Sequence, residues 1–312
     1  MAHDLAAPPA VLAMIDRPCR SSAADATSAE APPAFRLVPA RSPQLRVTDL
    51  AVTRGDGIFE SATVRDGVIH SEERHLHRFA RSAAMLDLPE PDLDVYRAAT
   101  RAAVAALGEL DLPPGAEAYV KYCLSRGDEE LTDVGPIGWA YATLSGDFTA
   151  ARTEGIAVVL LDRGYARTVP ATSPWLLAGA KTLAYAVNRA AVREAVRRGA
   201  QDVVFTTPDG YLLEGPTSTL VLRIGDTLVT PPPEVGVLPG TTQEDLFASL
   251  DDLGLRGEER DVRVPELAAA DAAWLMSSVR LAAPVNAVDG VAVPVDHELT
   301  ARINELLQTR TG

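Results

Sequence analysis

The sequence predicts a two-domain protein of mixed α and β elements, α+β or α/β in class, and three observations carry that reading. At 312 residues the chain is long enough to bury two cores. Short apolar runs bounded by turn residues alternate with stretches of helical periodicity, without an internal repeat or a Gly-rich dinucleotide fingerprint. Between them, residues 145–154 are small and polar, with Gly146 and Asp147, and read as a connector. The expected organisation is a flexible or loosely docked extension over 1–34, a smaller N-terminal α/β domain over 35–147, a linker over 148–155 and a larger C-terminal domain over 156–312.

Each element has its local reason. The first forty residues are rich in Ala, Pro and Ser, and their one apolar cluster is Val11 to Ile15. Residues 59–64 and 68–69 flank Asp66-Gly67, a dipeptide that favours a tight hairpin turn. Ser71 precedes two glutamates and marks a helix start. Leu76, Phe79, Ala83 and Leu86 then recur at helical spacing. A second helix is expected near 93–110, and strands near 118–124, 138–144 and 156–161. A loop rich in Thr, Pro and Ser leads to a helix expected over 182–198, closed by Gly199. Runs at 203–206, 211–213 and 219–224, separated by turn residues, read as an antiparallel meander. Thr241 and Glu244 have the spacing of a capping box at the start of a further helix.

Composition narrows the function classes. The net charge of −14 argues against a nucleic-acid partner, because neutralising phosphates needs a basic surface. Cys19 and Cys123 are too few for a disulfide framework and fit a reducing cytoplasm. No apolar run approaches membrane-spanning length. The start Met-Ala-His-Asp lacks the basic residues and long apolar core of a signal peptide.

Lys181 is the first candidate for chemistry. It is flanked by small apolar residues where a loop becomes helical, a setting in which partial desolvation makes an amine nucleophilic toward carbonyls. Alone, it reads better as an ordinary first-turn lysine on a solvated helix face. An aldehyde cofactor such as pyridoxal phosphate would further require an acid beside its ring nitrogen and N–H groups or an arginine at its phosphate. Glu214 stands at the end of an apolar run before Gly215-Pro216-Thr217-Ser218. The segment from Gly236 to Gln243 enters a helix N-terminus, where free N–H groups suit an anion. Arg78 lies on a helix away from Leu76 and Phe79. Taken singly, these are a hairpin-end glutamate, a capped helix and a solvated arginine.

In order, the segments Gly55-Asp-Gly-Ile-Phe-Glu-Ser61, His75-Leu-His-Arg78-Phe, Ser125-Arg126-Gly127, Lys181-Thr182-Leu183, Leu213-Glu214-Gly215 and Leu238-Pro-Gly-Thr-Thr242 resemble the fold-type IV pyridoxal-phosphate enzymes. These are the class IV aminotransferases: branched-chain aminotransferases, D-amino acid aminotransferases and 4-amino-4-deoxychorismate lyases. The resemblance covers roughly residues 49–290. It implies a two-domain architecture like that of D-amino acid aminotransferase, with pyridoxal 5'-phosphate between the domains and, usually, a homodimer whose partner chain completes the site. Lys181 matches the Schiff-base lysine, Glu214 the carboxylate at the pyridine nitrogen and Arg78 the phosphate-binding arginine. Thr241 and Thr242, helped by Thr217 and Ser218, match the phosphate cup, and Tyr185 the tyrosine near the ring hydroxyl. The segment from Ser277 to Arg280 resembles the family's C-terminal active-site wall.

Two positions bear on the reaction. Ser61 places a hydroxyl where the lyases carry threonine, so it can act as general acid toward the departing enolpyruvyl group. Arg126 ends a strand in the Ser-Arg-Gly pattern of the lyases and D-amino acid enzymes, and a guanidinium there can take a substrate carboxylate bidentately. After it, Asp128-Glu-Glu replaces the glycine-rich stretch of the lyases. The expectation is a cytoplasmic, homodimeric 4-amino-4-deoxychorismate lyase that releases pyruvate and 4-aminobenzoate for folate synthesis. The alternatives are a transaminase of D-amino acids, branched-chain amino acids or another amine, and a non-catalytic pyridoxal-phosphate-binding homologue.

Overall fold

Residues 8–20, 33–131 and 134–310 are described by the structure, a computed structural model. The chain forms two compact units. The first takes the described residues up to Gly146 together with Lys181–Ala184; the second takes Asp147–Ala180 and Tyr185–Arg310. The segment carrying Lys181 thus clusters with the first unit, while the chain on either side of it belongs to the second.

In the first unit six strands form one antiparallel sheet: β1 (Ala10–Ile15), β2 (Phe35–Val38), β3 (Gly57–Arg65), β4 (Val68–Ile69), β5 (Ala118–Ser125) and β6 (Ile137–Leu144), in the order β2-β1-β6-β5-β3-β4. The hairpin from β3 to β4 turns at Asp66 and Gly67, both with positive φ, as a two-residue hairpin requires. Helices α2 (Glu72–Met85) and α3 (Leu93–Gly108) pack on this sheet, after the short α1 (Leu50–Thr53). Leu76, Phe79, Ala83 and Leu86 are buried, as their spacing predicts. Phe79, Tyr96 and Tyr122 interlock, with ring centroids 4.7–5.8 Å apart.

The expected extension over 1–34 needs correction. Residues 1–7 and 21–32 lie outside the described residues, but β1 sits inside the sheet between β2 and β6. Its Leu12, Ala13, Met14 and Ile15 are all buried. A strand held on both edges with buried side chains reads as a continuous apolar run rather than an alternation. The Ala- and Pro-rich flanks hide it.

Glu60, fully buried on β3, binds α2 to the sheet. Arg78 donates to it through Nε (2.7 Å) and Nη2 (2.8 Å), and His75 Nδ1 lies 2.7 Å from the same carboxylate. Burial pushes the Glu60 carboxyl up, but the adjacent Arg78 charge and the hydrogen bonds from Arg78 and His75 outweigh it and hold the pKa well below 4.5. Arg78, which the sequence alone allows as a solvated residue, is therefore fixed, with only 10% of its side chain exposed.

The second unit holds an eight-stranded mixed sheet. In chain order its elements are α4 (Thr149–Thr153), β7 (Ile156–Asp162), α5 (Val169–Thr172), α6 (Ala186–Arg197), β8 (Asp202–Thr206), β9 (Thr219–Ile224), β10 (Thr227–Thr230), α7 (Thr241–Phe247), β11 (Arg256–Glu259), α8 (Val264–Ala269), β12 (Ala272–Ser277), β13 (Leu281–Val288), β14 (Val291–Ala292) and α9 (His297–Thr309). The order is β11-β10-β9-β12-β13-β7-β8, with β14 beside β13. Both faces are covered. Leu220, Leu222, Ala273 and Leu275 join a core with α8, while Val221, Trp274 and Met276 join another with α7 and α9. The expected strand at 211–213 is reduced to isolated bridges from Tyr211 to Arg263 and from Leu212 to Thr206.

Two helix starts differ from expectation. The helix expected from residue 182 begins at Ala186, because the preceding residues are spent on β3. Phe59 N–H donates to Lys181 O (3.0 Å) and Leu183 N–H to Gly57 O (2.8 Å). The expected capping box at Thr241 does not form, since the N-cap is Gly240 and Thr241 is the first helical residue.

Two outcomes test this account. Deleting residues 1–20 should lower the melting temperature or cause aggregation by stripping the inner edge of the sheet; a truncated chain that melts like the full one would show β1 to be dispensable. Glu60→Gln should cost roughly 3–5 kcal/mol, the usual penalty for breaking a buried ion pair. Because the folded-state pKa is depressed, Glu60 stabilises above the ordinary glutamate value of 4.5, and that stabilisation is lost as pH falls toward the folded value. The variant should accordingly lose stability at neutral pH and show a flatter acid limb in denaturation.

Candidate active site

Strand alternation sorts the first unit's candidate residues. Ile58, Glu60 and Ala62 are buried, with Glu60 against α2, while Phe59 and Ser61 are only half-buried on the opposite face. Lys181 pairs with the edge of β3 through its backbone carbonyl, and its backbone N–H donates to Ser82 Oγ at 3.1 Å. Its Nζ stands 4.7 Å from the centroid of the Phe59 ring. Gly57 permits this close pairing: a Cβ there would lie 2.6 Å from Leu124 O and 2.8 Å from Leu183 Cδ1. Lys181 Nζ thereby stands by the Phe59 ring, on the strand face that Ser61, two residues along, shares with Phe59.

Arg126 is directed elsewhere. Its Nε donates to Asp56 at 2.7 Å, Nη2 to Leu86 O at 2.6 Å and Nη1 to Asp87 O at 3.1 Å. All three guanidinium nitrogens serve protein acceptors, so the structure presents Arg126 as a tie between β5 and the end of α2 rather than as a fork open to a carboxylate. The acidic stretch after it is also engaged. Asp128 accepts from Thr48 Oγ1 and from the N–H groups of Glu130 and Leu131, and Glu129 pairs with Arg54.

The second unit gathers most of the remaining candidates around two loops. Phe205 N–H donates to Glu214 O, and Leu213 N–H to Phe205 O, which fixes the residues leading into the first loop. The Glu214 carboxylate accepts from Leu238 N–H at 3.1 Å and so links that loop to the approach to α7. Tyr185 Oη (2.8 Å) and Asn188 Nδ2 (2.6 Å) both donate to Pro216 O and clamp the same loop. Ser218 Oγ accepts from Arg280 Nη2 at 3.1 Å, and Arg280 Nη1 donates to buried Asp202 at 2.8 Å. Thr217 is exposed.

At the second loop Thr241 and Thr242 are both buried. Thr242 Oγ1 has no hydrogen-bond partner among the described residues, although burying a hydroxyl without one costs about 1–3 kcal/mol. A Cβ at Gly240 would come within 2.2 Å of Thr219 Oγ1, so the chain leaves its backbone bare there. An orphaned buried hydroxyl beside a bare turn at a helix start is the donor set that a phosphate group completes. These residues fit the phosphate of pyridoxal phosphate.

Sequence reasoning missed several supporting residues. Glu60 and His75 stood inside quoted segments, but nothing in their spacing signals that they hold Arg78. Asn188 is offset from Tyr185 by three positions, the helical neighbour spacing, which could have suggested a shared partner. Asp202 carries no local signal for its pairing with Arg280, 78 residues away.

The chain is similar to known proteins along most of its length. The family model for amino-transferase class IV matches residues 57–288. A bifunctional aminodeoxychorismate lyase / D-amino acid transaminase of Mycobacterium tuberculosis is 42% identical over 262 residues, 81% of this chain and 88% of that one. The solved structure of the fold IV-transaminase CpuTA1 from Curtobacterium pusillum is 46% identical, with a TM-score of 0.88, and the match covers 96% of this chain and 97% of that one. A hypothetical aminotransferase from Mycobacterium tuberculosis in its PLP-bound form is 38% identical, with a TM-score of 0.82 and coverage of 88% and 94%. The fold is accordingly that of the fold-type IV enzymes, two units of mixed α and β structure. The chain belongs to the class IV aminotransferase family and is a pyridoxal 5'-phosphate-dependent enzyme, a lyase or an aminotransferase.

Proposed function

We propose that this chain is a 4-amino-4-deoxychorismate lyase that forms 4-aminobenzoate and pyruvate and acts as a homodimer. The observation that carries the reading is Ser61, a half-buried hydroxyl on the open face of β3, two residues from the Phe59 ring that lies under Lys181 Nζ. Transamination of D-amino acids is the second reading. It is favoured by the 42% identical relative, which is described as having both activities.

Bound pyridoxal phosphate supplies an electron sink for the pair left when a proton leaves the carbon bearing the substrate amine. Lys181 would hold the cofactor through Nζ. As the general base, Nζ would take that proton. The Glu214 carboxylate accepts from Leu238 N–H and would keep the ring nitrogen protonated. Thr242 Oγ1, the main chain at Thr241 and Ser218 would hold the phosphate. Arg78, whose guanidinium is held by Glu60, is the arginine assigned to the same anion by the family resemblance. Tyr185 and Asn188 position the loop after Glu214 through Pro216 O. Ser61 Oγ delivers a proton to the departing enolpyruvyl carbon, and aromatisation of the remaining ring drives the elimination. In the transamination reading Lys181 instead returns the proton to the cofactor side.

The purified protein should absorb visible light once pyridoxal phosphate is added, and borohydride should fix the cofactor to Lys181; a colourless protein, or label retained in Lys181→Ala, would overturn the assignment. Given aminodeoxychorismate and no keto-acid acceptor, the enzyme should release 4-aminobenzoate and pyruvate. Turnover that requires both an amino donor and an acceptor would instead support the transaminase. Ser61→Ala should slow elimination by roughly a hundredfold, a typical general-acid contribution, with cofactor content unchanged. Thr242→Val should weaken cofactor retention by about tenfold or more, the worth of one hydrogen bond to a charged group.

A further inference from the structure

The Ser218 hydroxyl is held by a charged donor. Arg280 Nη2 donates to Ser218 Oγ at 3.1 Å, while Nη1 donates to Asp202 at 2.8 Å. The other oxygen of Asp202 accepts from Val203 N–H at 2.9 Å, which fixes that carboxylate at the start of β8. The turn that carries Arg280 is fixed as well. Arg152, on α4, donates through Nε to Arg280 O (2.9 Å) and through Nη2 to Val279 O (3.0 Å). Arg280 Nε is buried and has no hydrogen-bond partner among the described residues. The side chain keeps its reach to Asp202 and Ser218 although this leaves one N–H unpaired, and a buried group of that kind calls for an explanation.

The direction of the bond to Ser218 has a chemical consequence. A guanidinium carries only donors, so the serine oxygen must accept and its own O–H proton must point away from Arg280. Ser218 is buried, and among the described residues that proton meets no acceptor. Ser218 Oγ also sits against the loop backbone, where a Cβ on Gly215 would come within 2.7 Å of it. The next residue, Thr219, places its hydroxyl where a Cβ on Gly240 would stand, and Gly240 leads directly into Thr241 and Thr242. Two buried hydroxyls with a proton to give, those of Ser218 and Thr242, therefore lie on neighbouring segments of the second unit.

We propose that Arg280, held by Asp202, is a positioning residue that commits the Ser218 hydroxyl to donate to the phosphate of pyridoxal 5'-phosphate. The inference rests on the site reading given above and deepens it, by giving the phosphate end an orienting device built wholly within the second unit. A free serine hydroxyl is both donor and acceptor and rotates to suit its surroundings. An arginine on its lone pair removes the acceptor option, and an O–H oriented in advance needs no reordering when an anion arrives. Asp202 compensates the guanidinium charge, so the role of Arg280 is direction rather than attraction. Selectivity follows. The device favours the phosphorylated cofactor over the unphosphorylated aldehyde, and it acts on binding rather than on proton transfer at Lys181.

Titration of the full-length, cofactor-stripped protein with pyridoxal 5'-phosphate and with pyridoxal, following the visible band, tests the assignment. The wild type should prefer the phosphate ester. Arg280→Met should weaken binding of the ester by about tenfold, as loss of one hydrogen bond to a charged group predicts, and change binding of pyridoxal by less than about twofold. Ser218→Ala should do the same, and the double variant should bind no more weakly than either single one, because both remove the same bond. Arg280→Lys, which keeps a donor, should retain most of the preference. If Arg280→Met fails to fold, Arg280→Met combined with Asp202→Leu removes the buried charge pair together and is judged by the same criteria. Equal weakening of both compounds would make Arg280 a structural tie and overturn the proposal. So would additive effects of the two single variants, or a preference that survives in Arg280→Met. A wild type that binds neither compound would instead sink the functional reading itself.

Discussion

Two backbone hydrogen bonds decide where the central lysine stands. Phe59 N–H to Lys181 O and Leu183 N–H to Gly57 O turn residues 181–183 into a short extension of the first unit's sheet. That pairing delays α6 to Ala186 and lays Lys181 Nζ along the Phe59 ring. It also requires the bare backbone of Gly57. The position of this candidate nucleophile is thus set by main-chain geometry that a side-chain substitution perturbs only indirectly. Precision in such a site comes from the rigid element that carries it.

The rest of the first unit reinforces this strand from its other face. Glu60 points from β3 into the helical layer, where Arg78 and His75 compensate its buried charge. One strand therefore presents alternating residues to two tasks, a charged tie below and candidate chemistry above. Within the second unit, Glu214, Tyr185, Asn188 and Arg280 play the corresponding role by binding loops to one another. Most of the polar contacts around the candidate residues hold loops and strands in place, which is what a site needs if its few reacting atoms are to be oriented in advance.

Much of this was legible in the sequence. Hydrophobic spacing located α2, α3 and most strands, because those signals are local and periodic. The hairpin at Asp66-Gly67 was readable because positive φ at two successive positions demands such residues. What escaped was non-local or contextual. β1 looked like part of a polar extension because its apolar run is short and its flanks are not. Lys181 looked helical because the residues after it are good helix formers, and nothing local reveals a strand 120 residues earlier that needs a partner. The candidate set came from the ordered segments as a group, whereas the commitment of Arg126 to Asp56 emerges only in three dimensions.

The scarcity of lysine has a consequence for how this enzyme lives with its own cofactor. A free aldehyde condenses with any accessible amine, and a protein studded with lysines would carry bystander adducts at every exposed one. Here the surface cations are arginines, whose guanidinium groups stay protonated and do not form imines under ordinary conditions. The chain's two side-chain amines, those of Lys121 and Lys181, both lie against Phe59. Apart from the chain terminus, carbonyl reactivity is confined to the neighbourhood of a single phenyl ring, and the protein is self-protected from its own reagent.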